Sequence, residues 1–422
     1  MSLTKHSSPY EVLKIRDFRY YVLGRMGITF GINILGTAVG WQIYEHTKDA
    51  LSLGLIGLVE FVPFIIVTLI GGYIADIFDR RKIILTCVSL YSLCALGLYL
   101  LSDSFAYIID SVGVTPIFVL IGATGLVRGF LGPAQSAFAA QLVPSELYAN
   151  SATWTTMSWH ISAVGGPAVA GLLCGWHHSA WSSYAVVVAL ATIGLVLITT
   201  VKSRHAAKNT LDTEGGQKQR EGFFDSVRVG LSFVKNNQFL LGALALDMFA
   251  VLFGGAVAML PAFAKDILAV GPEGFGMLRT APAVGALVMS VYLAYNPPVK
   301  NAGVKLLVSV AGFGICTILF ALSDNFIFSL FMLAGTGFFD NVSMVIRGTI
   351  VSLFTPDEMR GRVSAVNSLF IGSSNELGAF ESGLAARLMG LVPSVVFGGV
   401  MTMIVVATAW VKAPKLRGLD LR

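Results

Sequence analysis

Residues 71–84 read GGYIADIFDRRKII, and five of the seven positions from Asp76 to Lys82 are charged. On either side lie apolar runs, LVEFVPFIIVTLI at 58–70 and ILTCVSLYSLCALGLYLL at 84–101. With their glycine-rich joins these runs are of the length that crosses a bilayer, about 20 residues for a helix. A short charged turn between them reads as a membrane hairpin whose charges stay in water.

The rest of the chain agrees with that hairpin. Of 422 residues, 55% are hydrophobic and 13% charged, with a mean hydropathy of +0.75. Soluble domains carry about 25% charged residues, so half the usual charge is missing and the chain reads as a polytopic membrane protein. About twelve hydrophobic segments can be marked, near 19–44, 51–77, 82–102, 115–140, 150–175, 181–201, 238–263, 273–295, 303–323, 326–352, 362–389 and 393–412. The 45 glycines suit helices that approach closely in lipid. The expected fold is all-α and integral to the membrane, with twelve transmembrane helices.

Charge placement sets the expected topology. Of the 29 Lys and Arg, 22 fall in the N-terminal arm, at 80–82, in 202–237, at 300–305, at 360–362 and in the tail. The opposite loops hold only Lys48 and Lys265. The positive-inside rule then predicts both termini in the cytoplasm. The formal net charge of +5 is thereby used up as topology, and no nucleic-acid partner is expected. The start, MSLTKHSSPYEVLKIRDF, is short of an apolar core, so the first span is expected to act as the insertion signal. Cys87, Cys94, Cys174 and Cys316 all sit in apolar spans without CxxC spacing, which predicts packing roles.

The polar stretch KSRHAAKNTLDTEGGQKQREG at 202–222 divides the spans six and six. The following FFDSVRVGLSFVKNNQF has apolar residues at helical spacing, as in an interfacial helix. The expected organisation is an N-terminal half over 1–201, a cytoplasmic linker over 202–237 and a C-terminal half over 238–422. The halves repeat one another in parallel. LVPSELYANSATW at 142–154 matches FTPDEMRGRVSAV at 354–366 with a shift of 212, and GLVEFVP at 57–63 matches GMLRTAP at 276–282 with a shift of 219. Parallel six-helix repeats are the plan of transporters with two rocking halves.

The order of the opening stretch, Gly, then Ala-Asp, then basic residues and a resumed helix, resembles the signature loop of the major facilitator superfamily. Gly72, Ile74, Ala75, Asp76, Arg80, Arg81 and Ile84 fit or nearly fit that pattern. Ile77 and Asp79 depart from it, where the family has Arg and Gly, and the equivalent turn YNPPVKNAG has lost it. DFRYYVLGR, RGFLGPAQSAFAAQLVP at 128–144, GLSFVKNNQFLLGALALDMF at 230–249 and TPDEMRGRVSAVNSL at 355–369 resemble the branch that includes the enterobactin exporter. The resemblance implies export of a small molecule across the bacterial inner membrane by alternating access. A single chain with two halves can enclose its own path, so a functional monomer is expected. It also implies a cytoplasmic gate in which Asp76, with Gly72, Arg80 and Arg81, meets the start of span eleven near Arg360 and Arg362.

Ionisable residues inside spans are costly and face the bundle interior. Here they are Arg25, Arg128, Arg279, Arg347 and Arg387, with Glu60, Asp247, Asp340, Glu376 and Glu381. The repeat shifts place Arg128 opposite Asp340 and Glu60 opposite Arg279, and Arg25 of span one falls within a residue of the equivalent of Asp247 in span seven. Arg347 lies two helical turns beyond Asp340 on the same face. In the family fold, spans one, four, seven and ten line the central cavity. Asp340, Arg128, Asp247, Arg25, Glu60, Glu376 and Arg347 are therefore the candidate proton-coupling or substrate-cavity residues.

Two readings of these charges stay open. One is proton exchange at Asp340 or Asp247 against a movable arginine or an anionic substrate, with protons as the coupling ion. The other is static pairing, as between Arg128 and Asp340. Trp154, Trp159 and His160 in span five offer a stacking platform or simple packing. No nucleotide loop, catalytic triad, zinc or haem pattern is present, so neither an enzyme, a cofactor nor a metal centre is expected. The leading expectation is a proton-coupled exporter of a small amphipathic or siderophore-like molecule. Lipid or lysolipid translocation and metal export are alternatives on the same fold.

Overall fold

The computed structural model describes residues 10–103, 105–202 and 223–421, without the side chains of 69–73, 75–77, 110, 223–227 and 357. The described backbone is helical, and twelve long helices run in chain order. These are α1 (Arg16–Thr47), α2 (Ala50–Ile77), α3 (Arg80–Ser102), α4 (Thr115–Gln141), α5 (Tyr148–His177), α6 (Trp181–Thr200), α7 (Gln238–Phe253), α8 (Pro272–Tyr295), α9 (Ala302–Ala321), α10 (Phe326–Phe354), α11 (Arg360–Met389) and α12 (Leu391–Lys412). A helix satisfies its own backbone groups, as lipid requires.

Eleven of these are long and apolar enough to cross a membrane, α7 being counted with its continuation to Ile267. The exception is α11, whose 30 residues include Arg362, Asn367, Asn375, Glu376, Glu381 and Arg387. Leu93, Val119, Ile193, Ile327, Phe331 and Val411 are large apolar side chains exposed on the helices. Lipid is the surrounding that accepts such a surface.

The ends of the helices are fixed by polar side chains. Asp79 caps α3 by accepting from Arg81 N at 2.9 Å. Asn237 caps α7 by accepting from Phe239 N and Leu240 N, and Asn325 caps α10 by accepting from Phe328 N. Each satisfies amides that have no partner inside the helix.

By contacts the chain forms two compact units, Met1–Val39 with Val59–Lys218, and Gly40–Leu58 with Gln219–Arg422. The end of α1 and the start of α2, residues 40–58, thus pack within the second unit. The first unit is built around Tyr21, Tyr91, Tyr184 and Phe138, all fully buried. Tyr21 donates its hydroxyl hydrogen to Gln135 O at 2.7 Å. Arg80 Nη1 donates to Ala137 O at 3.3 Å, Arg81 Nε to Ile198 O at 3.2 Å, and Arg81 Nη2 to Thr199 O. The loop arginines therefore seal the last carbonyls of α4 and α6, where positive charge is favoured.

In the second unit, one core gathers Leu240, Leu244, Leu306, Ile346, Ile350 and Val363. Another gathers Trp41, Phe263, Phe275, Leu278 and Phe320. The amphipathic helix Phe223–Asn236 lies against the start of α11, where a Cβ on Gly230 would come within 2.7 Å of Arg362 O. Of Gly72 and Asp76, expected at the gate, only the backbone lies within the described part of the structure.

Candidate functional site: intramembrane charges of the two units

Each unit contains a close crossing of equivalent helices. In the first, α2 crosses α4 at Gly125, where an added Cβ would collide with Glu60 O. In the second, α8 crosses α10 at Gly337, where it would collide with Pro282 O. Gly125 and Gly337 are related by the repeat shift of 212. Only a residue without a side chain lets the backbones meet so closely. The charges that the repeat aligns therefore sit at equivalent crossings.

They behave differently there. In the first unit Arg128 of α4 forms an ion pair with Glu60 of α2. In the second, Arg279 of α8 and Asp340 of α10 both line a cavity of about 400 Å³, together with Glu376 of α11. Asp340 is exposed into this space. Among the described residues its carboxylate makes no hydrogen bond or ion pair. Thr336, Gly337 and Asp340 reach the cavity from one face of α10, as residues three and four apart do. On α11, Glu376 packs against the start of α2, where a Cβ on Gly57 would lie 2.6 Å from its Oε2.

The fourth wall is a break in α7. The helix stops at Phe253 and continues as a 3₁₀ turn over Gly255–Met259, then Leu260–Ala262, then a π-helical turn over Phe263–Ile267. A Cβ on Gly255 would meet Ser382 Oγ and sit 2.6 Å from Gly378 O, so α11 presses against the break. Gly254 and Gly255 line the cavity. Helices interrupted at a binding cavity are a recurring transporter device. The hydropathy of 238–263 hides this break, although the Gly254-Gly255 pair and Pro261 mark it.

Behind the cavity, Asp247 of α7 and Arg347 of α10 form a buried ion pair. Arg25 of α1 is half-buried in the first unit. Arg387 is exposed near the end of α11, and Glu381 is half-buried there. Arg360 is exposed and Arg362 half-buried in the first turn of α11, with Arg362 Nη1 at 3.5 Å from Met359 Sδ. Trp154 lies against Tyr10, and Trp159, which is 54% exposed, stands edge-on to His160.

A sequence model described as transmembrane secretion effector matches residues 7–421. The enterobactin exporter EntS of Shigella dysenteriae serotype 1 is 24% identical over 392 residues, covering 92% of this chain and 89% of that protein. The enterobactin exporter EntS of Escherichia coli O1:K1 matches with the same identity and coverage. Among solved structures, a bacterial homologue of the human lysosomal transporter Spinster is 16% identical with a TM-score of 0.69, covering 94% of this chain and 98% of its own. A POT family transporter in complex with 5-aminolevulinic acid is 11% identical with a TM-score of 0.73, covering 95% and 96%. With twelve helices, two repeated halves and a match along nearly its whole length, the chain belongs to the transmembrane secretion effector family of major facilitator superfamily transporters.

Proposed function

We propose that this transporter exports a small amphipathic, siderophore-like molecule from the cytoplasm, driven by protons that exchange at Asp340. The carrying observation is the contrast among intramembrane acids. Glu60 and Asp247 are held by Arg128 and Arg347, whereas Asp340 opens onto a cavity that also presents Arg279 and Glu376.

Burial favours the neutral form of a carboxyl and a nearby cation favours the ionised form. A site that offers both surroundings can be switched by whatever enters it. A substrate with an anionic or catecholate edge would engage Arg279, and its apolar part would rest on Phe313, Val251 and Val257. A proton on Asp340 and a substrate in the same cavity then alternate, which is the logic of antiport. The enterobactin exporters are the relatives that support a siderophore-like cargo.

Purified protein in liposomes containing a pH-sensitive dye tests this. Catecholate and carboxylate siderophores, then cationic dyes, are added under an imposed proton gradient. Substrate-dependent proton flux is expected in the natural protein and absent in Asp340→Asn. Flux that survives the substitution would move coupling away from Asp340. No flux with any substrate, from folded protein, would overturn the proton-coupled reading.

A further inference from the structure

A second, much smaller space also borders Asp340. It has a volume of about 10 Å³ and is lined by Asp340, Ser343 and Phe339 of α10, Asp247 of α7, and Ser309 and Phe313 of α9. Asp340 and Phe313 line both this void and the large cavity. A single water needs roughly 10–15 Å³ and two to four polar partners. The void meets both conditions.

The polar groups around it are arranged for such an occupant. Ser343 is 2% exposed, and its Oγ is buried without a hydrogen-bond partner among the described residues. Ser309 Oγ donates to the carbonyls of Lys305 and Leu306, at 2.8 and 2.9 Å, and keeps lone pairs that can accept. Asp247 is 7% exposed and is held on its other side by Arg347. Asp340, Ser343 and Arg347 follow at intervals of three and four along α10, one stripe that faces Asp247 and Ala250 of α7. A buried hydroxyl left unpartnered is unfavourable unless something polar fills the space beside it.

We infer that this void holds one water, seated by Ser343 and Ser309, that passes protons between Asp340 in the cavity and the Asp247–Arg347 pair behind it. The inference rests on proton exchange at Asp340. In the forward step the O–H bond of protonated Asp340 breaks and its proton joins the water. The water gives one of its own protons to the Asp247 carboxylate. Asp340 is left ionised toward Arg279 and Glu376, and the summed charge of Asp340, Asp247 and Arg347 is unchanged. Ser343 is thus a positioning residue, and Asp247 a second proton site shielded from the substrate.

The test compares Ser343→Ala with Ser343→Val in proteoliposomes, alongside Asp340→Asn. Two quantities are read: substrate-dependent proton flux, and exchange of labelled for unlabelled substrate at equal pH on both sides. Alanine removes the hydroxyl but leaves room for water, whereas valine fills the void. Ser343→Val is expected to lower proton flux by about 100-fold, the scale of a lost proton-transfer partner, while exchange continues. Ser343→Ala should retain most of the flux with a larger slowing in D₂O than the natural protein shows. Ser309→Val, which closes the same void from α9, should reproduce the valine result if Ser343→Val does not fold.

Undiminished proton flux in the folded valine variants would overturn the relay. If Asp340→Asn still abolishes flux in that case, coupling at Asp340 stands without it. Equal loss of flux and exchange in the valine variants would also overturn the relay, because it would mark a packing role. Absence of flux in the natural protein with every substrate would remove the proton reading and the relay together.

Discussion

The two helix crossings, α2 with α4 and α8 with α10, are built alike and charged in reverse. At the first, Glu60 and Arg128 sit on the backbones that meet at Gly125, and they bond to each other. At the second, Arg279 and Asp340 sit on the backbones that meet at Gly337, and they open onto a cavity. The same architecture therefore closes into an ion pair in one unit and borders a cavity in the other, which we propose as the exchange site. An acid in lipid either finds a permanent cation or remains available for one that comes and goes. The first crossing has taken the former course, and the second keeps the latter.

Substitutions break this comparison in graded steps. The largest effect is expected from Arg347→Leu, which strands the buried Asp247 carboxylate without its cation at about 3–5 kcal/mol. Thermal unfolding in detergent should register it as the lowest midpoint of the series. Gly125→Val and Gly337→Val should each cost about 3 kcal/mol by forcing a side chain against a backbone carbonyl. Equal losses would show that the two crossings are mechanically equivalent, and a loss at only one would break the symmetry.

Arg128→Leu should cost less, about 1 kcal/mol, because the Arg128 side chain is 38% exposed and that of Glu60 22%. Exchanging the partners, Glu60→Arg with Arg128→Glu, should restore most of that loss in the same measurement. The smallest effect on stability belongs to Asp340→Asn, within about 0.5 kcal/mol, because it removes no hydrogen bond or ion pair among the described residues. A midpoint that falls as far as in Arg347→Leu would show Asp340 to be a structural charge.

Much of this plan was legible in the chain. All twelve spans can be marked as hydrophobic segments, α11 among them at 362–389, although Glu376, Glu381 and Arg387 leave it outside the eleven helices that are apolar enough to cross a membrane. The repeat shifts also pair Glu60 with Arg279 and Arg128 with Asp340 from the sequence alone. What they do not say is which charges share a crossing within a half. That depends on Gly125 and Gly337 bringing two backbones together, which no span-by-span reading reveals.

The break of α7 at Gly254 was hidden for another reason. Hydropathy averages over a window, and a 3₁₀ turn of Gly, Ala, Val and Met is as apolar as the helix it interrupts. The membership of residues 40–58 in the second unit is likewise invisible to periodicity, since packing partners far apart in sequence decide it. The charged turn that opens the sequence was legible as a hairpin. Its arginines as seals for α4 and α6 became clear only from Arg80 reaching Ala137 and Arg81 reaching Ile198 and Thr199.

The central claim, that a proton leaves Asp340 as substrate arrives, can be read without a membrane. Substrate is titrated calorimetrically into detergent-solubilised protein in two buffers of different ionisation enthalpy, which counts the protons exchanged with solvent. The account predicts about one proton released per substrate bound by the natural protein, at a pH where Asp340 is protonated and once the proton that leaves Asp340 has passed on from Asp247 to solvent, and none by Asp340→Asn. Equal release by both proteins, or binding to the natural protein without release across the pH range, would contradict it.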